Sequence, residues 1–157
     1  MLHLDGLADT ADGLLPHLER DRRLAVMRAP DVGAFAIAVV PTILLLRWAS
    51  LATDRIEPLA LVGVWAASRT IMATVPALVP YAREGGLATS FLAGASPGTS
   101  IWLIPAGALL VAVAAALVAS ALVVVLARRR LGGYTGDVLG AAGVVSETAA
   151  LLVLSAR

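Results

Sequence analysis

From Ile101 to Ala127 no side chain carries a charge, and no other stretch restricts the fold as much. A helix needs about 20 apolar residues to cross the hydrocarbon of a bilayer. Residues 34–53 and 59–80 meet that length as well, and an apolar segment follows residues 131–137 and runs to Leu154. The hydrophobic fraction is 59%, the charged fraction 15% and the mean hydropathy +0.88, where soluble domains carry roughly 25% charged residues. The expectation is an all-α, polytopic membrane helix bundle made as one domain over residues 1–157. Residues 1–32 would form a carboxylate helix and an interfacial segment, and residues 33–157 the membrane spans.

Composition also excludes whole classes of chemistry. The net charge is +1 and no basic patch is interleaved with aromatics, so nucleic acid is not an expected partner. With no cysteine there is neither a disulfide framework nor a thiolate metal site. His3 and His17 are the only histidines, so any metal would be held by oxygen. All twelve basic residues are arginine. The N-terminus is acidic by its fifth residue and lacks the basic region and apolar core of a signal peptide.

Six of the eleven acidic residues fall within the first 32 positions. Three of them, Asp5, Asp9 and Asp12, are spaced by four and three. At about 100° per residue Asp9 lies roughly 40° from Asp5 and Asp12 roughly 20° to its other side, so all three share one stripe. Like charges so close repel, and a hard divalent cation removes the conflict. Gly6 and Gly13 leave room for a group to approach the backbone. A solvated acidic face is the other reading, although Leu4, Leu7, Ala8 and Ala11 make the remainder of the helix apolar.

Pro16 should break this helix. A short interfacial helix is expected within residues 17–32, ending at the turn Pro30-Asp31-Val32-Gly33. In the spans, Pro41 is a possible kink, and Arg47 with Trp48 reads as an interface anchor. Arg69 lies near the middle of 59–80, where an arginine costs about 2.5–3.5 kcal/mol and needs a partner or a wet cavity. A partner carboxylate that fixes helix packing would also explain it. Residues 81–87 end that span at a water interface, residues 88–100 read as a loop or shallow interfacial turn, and Ala112, Ala114, Ala115, Ala116, Ala119 and Ala121 suit close helix packing.

Arg128-Arg129-Arg130 should stop the long run on the cytoplasmic side. If residues 17–32 are cytoplasmic too, three ordinary crossings put the triple arginine on the wrong face. One segment would then be re-entrant, the 101–127 run would not be a simple span, or the span count would differ. Beyond it, the glycine-rich turn at 132–137 delivers Asp137 at a helix start, where free amides favour anions. Carboxylates for Mg²⁺, arginines for phosphate oxygens and glycines for close approach are the ingredients of phosphoryl transfer. One carboxylate could serve as general base.

HLDGLADTADG, VMRAPDVGAFAI, WAASRTIM, YAREGGL, GGYTGDVLGA and the later SET together resemble the cobalamin synthase family, the adenosylcobinamide-GDP ribazoletransferases, over essentially the whole chain. The resemblance implies a Mg²⁺-dependent, multi-pass enzyme of the cell (inner) membrane with its active site on the cytoplasmic side. It would join adenosylcobinamide-GDP to α-ribazole or its 5′-phosphate and release GMP. Other cobalamin-assembly enzymes or a second copy are possible partners beside the lipid bilayer. The family's motifs fall on Asp5, Asp9, Asp12, Asp137 and Arg69. The combined assignment is metal binding by Asp5, Asp9, Asp12 and Asp137, with Asp9, Asp12 and Asp137 as catalytic candidates. Substrate binding falls to His3, Gly13, Arg69, Arg83 and Gly136. Glu147 matches a glutamate of the family's last helix, with helix packing, pairing to Arg69 and catalysis as open roles. Relatives carry further apolar spans before HLDG, so the chain is expected to be N-terminally shortened. Residues 29–31 read Ala-Pro-Asp where many relatives have Asp-Ser-Arg, and no substrate contact is assigned there.

Three rival readings share some of these residues. A cation- or proton-coupled transporter predicts mid-membrane ionisable groups on several spans, with broken helices around them. A non-catalytic scaffold would tolerate Asp9→Asn and Asp137→Asn. A CDP-alcohol phosphotransferase would continue its aspartates as Gly-x-x-Ala-Arg, whereas Asp12 is followed by Gly13-Leu14-Leu15-Pro16.

Overall fold

The computed structural model describes residues 2–82 and 110–156, and among them the expected all-α bundle is present. Its helices are α1 (Leu2–Leu14), α2 (Arg20–Val26), α3 (Ala34–Leu51), α4 (Pro58–Leu78), α5 (Leu110–Leu131) and α6 (Gly136–Ser155). Four of them, α3 to α6, are long and apolar enough to cross a membrane, and the chain is a multi-pass membrane protein. The interior of the bundle belongs to α6. Some 67% of its apolar window is buried, against 11% for α3, and α1, α3, α4 and α5 all pack on it. The outward faces of α3, α4 and α5 carry exposed Leu45, Trp48, Leu59, Val118 and Leu122, the side chains a lipid-facing surface requires.

Small residues let the other helices approach α6. Gly140 lies under the backbone of His3, and Gly143 under Met72 and Ser68 of α4. Ser68 donates to the Gly143 carbonyl at 3.2 Å, a short-range lock typical of membrane helix pairs.

The two apolar clusters at opposite ends of the bundle fix the relative directions of α4 and α5. Val75 near the end of α4 packs with Leu131 at the end of α5, Tyr134 and Leu14. Val64 early in α4 packs with Ala112 and Ala116 early in α5 and with Leu154. The two helices therefore run parallel, so the chain leaves α4 at one end of the bundle and enters α5 at the other. This removes the conflict that three ordinary crossings raised between the triple arginine and residues 17–32. Arg20 Nε donates to the Leu131 carbonyl at 2.8 Å, and Arg130 donates to that of Leu14, so both segments sit at one end. The loop expected at residues 88–100 lies outside the described residues.

The arginines close the apolar run as the last turn of α5, where cations complement the helix dipole. One further expectation changes. Arg47 is no interface anchor. It turns inward to Glu147 at 3.0 Å, while its neighbour Trp48 is 70% exposed.

The end that carries the acidic residues is held by backbone bonds. Ala82 N donates to Tyr134 O at 2.8 Å and Tyr134 N to Pro80 O at 3.0 Å, an isolated parallel bridge. A Cβ on Gly133 would run into the Pro80 carbonyl, and Gly132 takes a φ of 81°, which only glycine adopts readily. Tyr134 is fully buried with its ring 5.1 Å from that of Tyr81. The α1 C-terminus is held by arginine: buried Arg23 donates to the carbonyls of Gly13, Leu14 and Pro16 at 2.8–3.1 Å. The helix would otherwise end on unpaired carbonyls inside the protein.

Candidate active site

Helix α1 brings the acidic stripe to the bundle, as its spacing implies. Asp5 is exposed, Asp9 half-buried and Asp12 buried. All three line one wall of a cavity of about 250 Å³ with a mostly polar lining. The opposite wall is the segment joining α2 to α3, with Arg28, Pro30 and Asp31. Sequence reasoning left this segment without a role. The signal was there in a proline-containing turn that must fold back over α1 before α3 can begin.

Asp12 has a second task. Its Oδ2 accepts from Gly33 N at 2.7 Å and its Oδ1 from Ala36 N at 3.0 Å. Gly33 is the residue before α3 and offers no side-chain cap of its own, so a carboxylate from α1 caps α3 across the fold. This bond pair also seals the turn that closes the cavity. Each oxygen keeps a lone pair for another partner.

Asp137 lies in the first turn of α6, after the N-cap Thr135, whose hydroxyl accepts from Val138 N. That hydroxyl also donates to Asp137 Oδ2 at 3.4 Å. Helix α1 and the start of α6 meet here. A Cβ built on Gly6 would stand 2.8 Å from the Asp137 carbonyl oxygen, so α1 can approach α6 only through glycine. Gly6→Ala is expected to force the helices apart and to cost about 1–3 kcal/mol, the usual penalty of overpacking. Thermal unfolding in detergent micelles measures it, and an unchanged midpoint would show that the contact is loose.

The other assigned residues are placed as follows. Gly136 is exposed at the start of α6. Gly13 is buried, and the space a Cβ would take is filled by the Met27 side chain, so this glycine admits a neighbouring helix rather than a ligand. Arg83 lies outside the described residues. Arg69 pairs with Glu147 at 2.9 Å, and its side chain remains 54% exposed. Glu147 is 6% exposed and receives Arg47 on its other oxygen. One buried carboxylate on α6 thus joins α3 and α4. Three spans do carry mid-bundle ionisable groups, as a transporter would, but each helix runs unbroken through the cluster.

His3 packs on Gly140. Burial, and next the positive charge of Arg69, hold its imidazole below the ordinary histidine value, with Glu147 acting in the opposite sense. A lowered folded value means the neutral ring is the folded form. The stabilisation is complete above the ordinary value of about 6.5 and is lost as pH falls through the lowered one. The melting temperature is expected to drop as pH falls below about 6.5, and less so in His3→Gln. Equal drops would place the titration elsewhere.

Among the described residues no three carboxylates or imidazoles are gathered tightly enough to hold a metal ion. The aspartates wall an open cavity instead. That donor set suits Mg²⁺, which keeps several waters and binds through one or two carboxylates plus substrate phosphates rather than a closed protein cage.

Four apolar helices, with a polar cavity between α1 and the segment joining α2 to α3, define a multi-pass membrane protein with a carboxylate-walled recess at its first helix. The chain belongs to the cobalamin-5-phosphate synthase family, whose model matches residues 1–155. It is 40% identical to an adenosylcobinamide-GDP ribazoletransferase of Bradyrhizobium diazoefficiens, over 99% of this chain and 65% of that protein. Proteins of the same description in Mesorhizobium japonicum, 35% identical over 98% of this chain and 64% of the relative, and Chlorobium chlorochromatii, 34% over 94% and 65%, are also similar. The chain spans about two thirds of the length of these curated relatives. No solved structure matches.

Proposed function

We propose that the protein carries the Mg²⁺-dependent active site for transfer of the cobinamide phosphate group from adenosylcobinamide-GDP to α-ribazole or its 5′-phosphate. In this reading the site faces the cytoplasmic side of the cell membrane. The observation that carries it is the placement of Asp5, Asp9 and Asp12 on one wall of a single polar cavity, with Asp137 packed against the same helix at Gly6.

Bound there, Mg²⁺ would neutralise charge on the diphosphate and on the departing GMP. Asp5 and Asp9 would hold it, and Asp12 fixes the turn that bears Arg28 over the cavity. Arg28 is placed to take a phosphate oxygen as a charged donor. The acceptor hydroxyl attacks the phosphorus attached to the cobinamide, and the bond from that phosphorus to the GMP oxygen breaks. The hydroxyl proton passes to a carboxylate of the wall. The likeness to adenosylcobinamide-GDP ribazoletransferases supports the substrates, and the donor set supports the metal.

The test is GMP release from adenosylcobinamide-GDP by membranes that contain the protein. Release that requires both Mg²⁺ and the ribazole acceptor is the expected result. Release that persists undiminished in excess EDTA would overturn the metal assignment.

A further inference from the structure

The Arg47–Glu147–Arg69 cluster holds more positive charge and more donors than its own bonds use. Each oxygen of Glu147 takes one guanidinium, at 3.0 Å from Arg47 and 2.9 Å from Arg69, so two cations share one anion. Arg47 Nη1 is buried with no hydrogen-bond partner, and so is the hydroxyl of Ser50. Ser50 lies three residues further along α3 and is 2% exposed, on the face of the helix that carries Arg47. Arg69 uses Nη1 for Glu147, and the side chain is still half exposed.

A buried donor left unpaired is costly, and an uncompensated charge inside a bundle costs more. A wrong-sign excess of this kind, kept within the membrane, marks a functional site. One oxyanion resolves both deficits at once: it cancels the remaining charge and accepts from Arg47 Nη1, the Ser50 hydroxyl and the open edge of Arg69. The planar guanidinium fork matches the spacing of phosphate oxygens. Nearby, His3 feels the charges of both Arg69 and Glu147 and stands two residues before Asp5 of the cavity wall. The cluster therefore neighbours the carboxylate cavity without belonging to it.

We infer that Arg47, Arg69 and Ser50, set by Glu147, form a second anion seat that takes a single phosphate group, separate from the diphosphate at the carboxylate cavity. Its identification as the seat of the acceptor's 5′-phosphate rests on the phosphotransfer reading above. The seat then favours the phosphorylated acceptor over the free nucleoside.

Binding measured on the protein in detergent with EDTA, so that Mg²⁺ plays no part, tests this directly. Three probes are titrated by calorimetry and thermal shift: inorganic phosphate, α-ribazole 5′-phosphate and α-ribazole. The wild type is expected to bind the phosphorylated acceptor at least about tenfold tighter than the free one, which is one charge-assisted contact, and to be stabilised by inorganic phosphate. Arg47→Gln leaves the Glu147–Arg69 pair neutral and is expected to erase both effects. Arg47→Lys keeps the charge without the fork and should restore part of them. Arg22→Gln, an equal change of charge on the exposed face of α2, should leave them intact.

Arg47→Gln with the wild-type preference, or a wild type that binds both acceptors alike, would overturn the seat. If GMP release proceeds as proposed while the preference ignores Arg47, this inference alone falls. If no GMP is released but inorganic phosphate still stabilises the wild type and not Arg47→Gln, the seat stands and the reaction assignment falls.

Discussion

Asp9→Asn is expected to lower Mg²⁺-dependent GMP release by at least about 100-fold, the scale on which removal of one transition-state electrostatic partner is felt. Membrane insertion and helix content should stay as they are. Among the three aspartates of the stripe, Asp9 is the central one, half-buried in the cavity wall between Asp5 and Asp12. Asp5 is exposed. Asp12 has both oxygens on backbone amides of the α3 start, so an Asp12→Asn variant would also disturb the cap, a loss of about 0.5–2 kcal/mol. Asparagine keeps the size of Asp9 and removes only its charge. If the residue served merely to pack α1, release would hardly change. Turnover measured across a Mg²⁺ titration separates the two roles, because a lost metal ligand shifts the requirement to higher Mg²⁺ before it lowers the plateau. Asp5→Asn and Asp137→Asn belong in the same series, with turnover abolished in each. Full product formation in two of the three variants would remove the metal site from the argument.

What the sequence reveals of this architecture follows from whether each feature is local. The spans at α3, α4 and α6 were legible because twenty apolar residues between polar turns have few alternatives. The stripe was legible because spacings of four and three are fixed by helix geometry. The turn ahead of α6 was legible through its glycines, and φ at Gly132 bears that out. The features that were not legible depend on partners far along the chain. Asp12 reads as one more member of a charged stripe until α3 is seen to begin 21 residues later with no cap of its own. Arg47, beside a tryptophan near a span end, carries the usual signature of an interface anchor. Only its register against α6, with a carboxylate 100 residues away, turns it inward. Arg130 and Arg23 look like topological charges or phosphate ligands, yet both are used on the carbonyls that end α1. The parallel course of α4 and α5 was hidden for the same reason, since it rests on contacts between residues far apart in the chain. Arg28 and Asp31 lie in a stretch to which the sequence reading gave no contact, and they enter the cavity only because the turn folds back.

Glu147→Ala is expected to destabilise the bundle by about 3–5 kcal/mol, the cost of breaking a buried pair while its partners stay behind. The variant leaves two guanidinium groups on α3 and α4 with no counter-charge among the described side chains, in a setting where water cannot easily replace the lost carboxylate. Arg69 is half exposed and can turn its head outward, so Arg47, at 21% exposure, bears most of the penalty. That asymmetry gives the prediction a shape as well as a size. Removing Arg47 together with Glu147 should recover more stability than removing Arg69 with Glu147, and a double-mutant cycle reads the two couplings separately. Replacing all three by apolar residues of similar volume should come close to the wild-type melting temperature, since buried ion clusters gain little over well-packed hydrophobic substitutes. Were the triple variant as unstable as Glu147→Ala alone, the loss would lie in packing around α6 rather than in stranded charge. A stable triple variant that no longer distinguishes phosphorylated from free acceptor would instead show the arginines held in the membrane for their ligand, with Glu147 there to make them tolerable in its absence.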